Sequence, residues 1–155
     1  SSMKSTSKIW MRRLSCLAIV LVSLFIWGNS LAPATESSVQ SGRIVALLTP
    51  VLEKLQVEPS LRQFVIRKGA HMTEFALLAA VWLSLLWHCR GAWYRKILLA
   101  AVLCMTTAFL DETIQLFVPG RSGQISDVWV DLLGAAVGIV LATVWIVGLR
   151  AVRRR

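Results

Sequence analysis

Apolar residues run almost unbroken through four stretches, residues 14–31, 69–87, 97–118 and 128–149, each bordered by a short polar cluster. A hydrocarbon core about 30 Å thick is crossed by roughly 17 to 25 mostly apolar helical residues, so each stretch predicts a transmembrane span. The first carries no charge, the second holds His71 and Glu74 near its start, the third Asp111 and Glu112 near its end, and the fourth only Asp131. A helix satisfies its backbone donors and acceptors within one segment, as lipid demands. The expected fold class is an all-α membrane protein with four transmembrane helices.

Residues 32–68, between the first two spans, follow another pattern. A linker containing Pro, Ser and Gly runs to Gly42, after which Ile44, Leu47, Leu48, Val51, Leu52 and Leu55 recur at helical spacing. With Arg43, Glu53, Lys54 and Gln56 around them, they predict an external interfacial amphipathic helix, which Pro50 is placed to bend. Its stripe can pack on the bundle or lie against lipid; either would hold the segment as a lid or rim. Ser60 and Gln63 form a capping-box pattern that starts the second span near Leu61. Pro119-Gly120 ends the third helix, and Ser126 with Asp127 suits the start of the fourth, where an acid favours the helix dipole.

Charge placement gives the topology. Lys4, Lys8, Arg12 and Arg13 precede the first span, Arg90, Arg95 and Lys96 separate the second from the third, and Arg150, Arg153, Arg154 and Arg155 follow the fourth. By the positive-inside rule these regions are cytoplasmic, as are both termini. The eight acids all fall in the outer loops or the outer halves of spans. One transmembrane domain, 14–149, is thus expected between a cytoplasmic segment 1–13 and a basic tail 150–155, with a cytoplasmic loop 88–96 and an external hairpin 119–127.

Composition agrees. The chain is 56% hydrophobic with mean hydropathy +0.66 and formal charge +9. The basic excess reports topology and affinity for anionic lipid, so nucleic acid is not an expected partner. A basic start, an apolar run and Ser30-Leu31-Ala32 resemble a cleaved signal peptide, but the run is 18 residues long, which favours an anchor. Cys16, Cys89 and Cys104 have no metal-ligand spacing and predict no disulfide framework. Trp10, Trp27, Trp87, Trp93 and Trp129 read as interfacial anchors, Trp82 and Trp145 as lipid-facing or packed bulk.

Topology brings the polar clusters to one level, because the second helix enters from outside, the third exits there and the fourth enters again. Ionisable groups at that depth are expensive and mark a site when they are paired or working. His71 and Glu74 share one helical face, with Lys68 a turn earlier. Asp111 and Gln115 share a face, while Glu112 points about 100° away. Asp127, Asp131, Gly134 and Gly138 run down one stripe, the glycines allowing close helix contact.

Carboxylates beside a histidine can do acid–base work, so His71, Glu74, Asp111 and Glu112 are the candidate catalytic groups. Lys68 and Arg121 could clamp an anionic head group, with Gln115, Asp127 and Asp131 completing the substrate-binding set. No cofactor is expected. A divalent cation is the weaker alternative, with Glu74, Glu112 and Asp127 as its ligands. The same groups could instead form an ion-pair network that only holds helices together. There is no nucleophile motif, Walker loop or dinucleotide fingerprint.

Arg67-Lys68-Gly-Ala-His71-Met-Thr-Glu74-Phe75, then Asp111-Glu112-Thr-Ile-Gln115-Leu-Phe-Val-Pro119-Gly120-Arg121, then residues 127–138 resemble the VanZ-like family, named for a teicoplanin-resistance protein. Asp131 departs from it, standing where the family more often has Asn. The resemblance implies a bacterial, multi-pass inner-membrane protein of the cell envelope, with glycopeptide resistance as the associated phenotype. The leading expectation is a protein that recognises, or alters the exposure of, an amphiphilic lipid or lipid-linked envelope precursor. The alternatives are a membrane-embedded hydrolase or transferase acting on a lipid head group, and a structural or assembly subunit. Four short helices can close a pocket alone or contribute half of one to a homodimer.

Overall fold

The computed structural model describes the backbone of residues 2–152 and the side chains from Thr6 to Val152. The side chains of Lys4, Arg153, Arg154 and Arg155, which entered the topology argument, lie outside the described residues. Five α-helices follow in order: α1 (Ser2–Leu31), α2 (Ala34–Lys54), α3 (Arg62–Trp87), α4 (Trp93–Gln115) and α5 (Ile125–Val152), with a 3-10 turn at Pro59–Leu61 leading into α3. There is no strand among the described residues. Helices α1, α3, α4 and α5 are each long and apolar enough to cross a membrane.

Residues 32–42 are not the expected linker. Pro33 takes the N-cap position of α2, where a missing N–H costs nothing, and Glu36 sits in the first turn. The serines that suggested a flexible segment instead bond back along the helix: Ser38 Oγ donates to Ala34 O at 2.7 Å and Ser41 Oγ to Ser37 O at 2.6 Å. Helix α2 continues through Pro50. Most of its apolar stripe faces outward, Leu47 being 80% exposed, while Leu52 is 5% exposed. The capping box at Ser60 does not form. Leu61 is the N-cap of α3 without a side-chain bond, and Gln63 Nε2 donates to Ser38 O across to α2 at 2.9 Å.

Helices α3 and α5 form the most extensive pair. A Cβ built on Gly134 would lie 2.4 Å from Met72 O, and one on Gly138 2.1 Å from Ala76 O, so the two backbones touch where a side chain would stand. The Gly-xxx-Gly stripe therefore serves packing within the chain. Below it the core gathers Ile26, Phe75, Leu78, Leu83, Cys104, Ala108 and Ile139 from all four long helices. All three cysteines are free. At the far end, Lys96 and Arg150 both lie over the Trp87 ring.

Candidate functional site

The alternation of α1, α3, α4 and α5 sets the C-terminal ends of α1 and α4 beside the N-terminal halves of α3 and α5. His71 lies about 13 Å along α3 from its start, at 1.5 Å per residue. The close contact of Gly134 and Gly138 with α3 holds α5 near enough for Asp131 to meet His71, with Nδ1 and Oδ1 3.4 Å apart. That is ion-pair distance, yet neither atom makes a hydrogen bond, and Asp131 Oδ2 has no partner either. Asp111 approaches the same point from α4. Its Oδ2 accepts from Gln115 Nε2 at 3.2 Å and its Oδ1 is buried without a partner. Asp111 and Asp131 are 0% and 1% exposed, so no bulk water satisfies these oxygens.

The remaining expected residues go to other partners. Glu74 Oε1 accepts from Asn29 Nδ2 on α1 at 2.7 Å. Lys68 is ion-paired with Asp127, both side chains about a quarter exposed. Glu112, expected to face away from its neighbours, is buried and turned toward the α4–α5 connection, where its Oε2 accepts the backbone N–H of Gln124 at 2.8 Å. Gln115 Nε2 also reaches Ser30 Oγ at 3.3 Å, tying α4 to α1. The weaker ligand set of Glu74, Glu112 and Asp127 is thus dispersed onto separate partners. Among the described residues the group with ligand spacing is His71, Asp111 and Asp131, whose donor atoms lie within 4.8 Å of one another.

Arg121, in the α4–α5 connection, lines a cavity together with Lys68, the residue expected to clamp an anionic head group with it. Its Nε donates to Ala32 O at 3.2 Å and its Nη2 to Asn29 O at 3.0 Å, pinning the α1–α2 junction. Burial lowers its pKa from the ordinary arginine value, and the positive charge of Arg67 lowers it further. Arg67 makes no hydrogen bond or ion pair with the described residues, and with Arg121 it lines two cavities. One, of about 770 Å³, is walled by Leu21, Val22, Phe25, Ile44 and Leu77 of α1, α2 and α3, and its polar end carries Asn29, Arg67, His71, Glu74 and Arg121. The other, of about 410 Å³, is more polar and includes Arg67, Lys68, His71, Gln115, Arg121 and Asp127.

Arg67, Asn29 and Ser30 are the site residues that sequence reasoning left out. Arg67 stood next to Lys68 within the family motif and was given no separate role in the site. Asn29 and Ser30 end an otherwise apolar span, where polar residues are ordinary. The available signal was the four-residue spacing that puts Ser30 on the helical face of Ile26; in the structure both are buried.

A model of the family described as VanZ/LLP1 matches residues 15–146 of the chain. Comparison with curated proteins gives no match, and neither does comparison with solved structures.

Proposed function

The chain belongs to the VanZ/LLP1 family and is a multi-pass membrane protein; from that premise and its cavities, we propose that it recognises an amphiphile with an anionic head group. The observation that carries this reading is the 770 Å³ cavity, which joins an apolar wall to a polar end holding two guanidinium groups. Of these, Arg121 is engaged with carbonyls and Arg67 has its donors free, so Arg67 presents the planar fork that a phosphate or carboxylate accepts. Acyl or prenyl carbons would lie along Leu21, Phe25 and Leu77. The outward-facing apolar residues of α2 then form the rim at the membrane surface, where an interfacial helix gains from lipid contact.

The bases at the far end of the bundle support a cytoplasmic location for both termini, with the cavity opening toward the outer leaflet of a bacterial inner membrane. Recognition of an envelope lipid or lipid-linked precursor there would alter its exposure, with glycopeptide resistance as the cellular phenotype to score.

The test is lipid retention. Wild type and Arg67→Gln are purified from the same membranes, and bound lipids are identified by native mass spectrometry. Wild type should carry an anionic amphiphile that Arg67→Gln loses by an order of magnitude. Equal retention of anionic and zwitterionic lipids by both proteins would remove the reading. A head-group enzyme is the second reading, favoured by His71, which lines both cavities with Asp131 behind it. It requires a lipid species that appears or vanishes with wild type and not with His71→Ala; identical lipid profiles exclude it.

A further inference from the structure

His71, Asp111 and Asp131 converge from three helices, each with a ligand atom within 4.8 Å of the others, and each has a buried atom without a hydrogen-bond partner. Asp131 leaves both carboxylate oxygens unpartnered, Asp111 leaves Oδ1 and His71 leaves Nδ1, all buried. Two ionised carboxylates almost without exposure cost several kcal/mol each unless a cation compensates them or a proton neutralises them. Lys68 is committed to Asp127, and Arg121 to two carbonyls. Among the described residues, His71 is the side chain at ion-pair distance from Asp131. A charge-assisted N–H···O bond runs to about 2.7–2.9 Å, whereas His71 and Asp131 stand 3.4 Å apart without hydrogen-bond geometry.

That spacing suits a different bond. Donor atoms about 2.0–2.2 Å from a tetrahedral Zn²⁺ lie about 3.4 Å from each other. We propose that His71, Asp111 and Asp131 hold one divalent first-row transition cation, best matched by Zn²⁺, with a fourth position open to the cavities that His71 lines. The donor set selects the metal class: an imidazole nitrogen suits Zn²⁺ over Mg²⁺ or Ca²⁺, which take six or more oxygens. Three protein ligands with one open position is the pattern of a working zinc site rather than a closed structural one. The widest separation in the group, within 4.8 Å, closes by rotation of a carboxylate. Gln115 Nε2 already holds Asp111 Oδ2, which leaves Oδ1 for the metal and orients it as an outer-shell donor does. This site is not the expected set of Glu74, Glu112 and Asp127.

The experiment uses the full chain in phosphatidylcholine nanodiscs, stripped with a chelator, desalted and titrated with Zn²⁺ alone, with bound metal counted per chain by elemental analysis. Wild type and Glu58→Gln should bind one equivalent. Asp111→Asn and Asp131→Asn, which keep side-chain shape, should weaken binding at least about tenfold, and the double variant should bind none. Co²⁺ loaded into wild type should give visible d–d absorption that His71→Gln lacks. A wild type that retains no Zn²⁺ overturns the proposal. So does a double variant that binds as tightly as wild type. If the variants do not fold, the wild-type stoichiometry and Co²⁺ spectrum still decide. No anionic lipid enters this titration, so its failure is distinguishable from failure of the retention assay.

Discussion

Gly138 on α5 lies against Ala76 on α3 so closely that a Cβ added to the glycine would stand 2.1 Å from the Ala76 carbonyl oxygen. This contact, repeated one turn earlier by Gly134 against Met72, sets the spacing that brings Asp131 to His71.

Gly138→Ala and Gly134→Ala should each destabilise the protein by about 1–3 kcal/mol, since backbone rather than a flexible side chain must give way. Gly28→Ala and Gly148→Ala, with nothing within 4 Å of the added Cβ, should lose no stability. Thermal unfolding of the four variants in one detergent compares them directly. Equal behaviour of all four would contradict the packing role.

Lys68 and Asp127 join α3 to the first turn of α5. Lys68→Ala and Asp127→Ala should each destabilise, and a double-mutant cycle should show a coupling of about 1–2 kcal/mol, within the range for residues in direct contact. The pair is partly exposed, so the coupling should weaken in high salt. Reversible unfolding in mixed micelles measures it. The charge exchange Lys68→Asp with Asp127→Lys should recover part of the loss, whereas exchange with Glu74 should not, because Glu74 is held by Asn29.

Asn29→Ala removes the donor to a half-buried carboxylate and should cost about 1–3 kcal/mol. Asn29→Asp sets a second carboxylate beside Glu74 and should cost more. The order wild type, Ala, Asp in chemical-denaturation midpoint is the expected result, and an Asp variant as stable as wild type would show that the bond does not form.

Arg121→Lys keeps the charge and loses the fork that holds Asn29 O and Ala32 O. Amides at the α1–α2 junction should exchange roughly tenfold faster, as expected for the loss of about 1.4 kcal/mol of local hydrogen bonding. Hydrogen exchange with peptides covering residues 29–37 reads this, and unchanged protection would move the pinning role elsewhere.

Helix α2 offers a test of lipid contact. A tryptophan at Leu47, which is 80% exposed, should be quenched by brominated lipid, while one at Leu52, which is 5% exposed, should not. Quenching at neither position would place α2 away from the bilayer.

Much of the fold was legible because hydropathy and period act along one segment at a time. Uninterrupted apolar runs specified four long helices, and the placement of acids near their ends predicted that His71, Glu74, Asp111, Glu112 and Asp131 would gather at one level. The glycine stripe on α5 was legible as a close-packing face. Residues 32–42 were not, because serine and glycine in a helix that packs against a neighbour look like those of a linker, and the deciding bonds are local i to i−4 contacts.

The sequence by itself determined the four long apolar helices and which residues share a face within each, since these follow from hydropathy and a fixed period, though not the start of α2 or the full length of α1 and α3. Only the tertiary structure decided the partners. Lys68 meets Asp127 rather than Glu74, Glu74 meets Asn29, Glu112 holds Gln124, and His71 stands with Asp111 and Asp131. These pairings depend on the rotation and offset of one helix against another. Contacts such as Gly138 with Ala76 set both, and no spacing along a single chain segment encodes them.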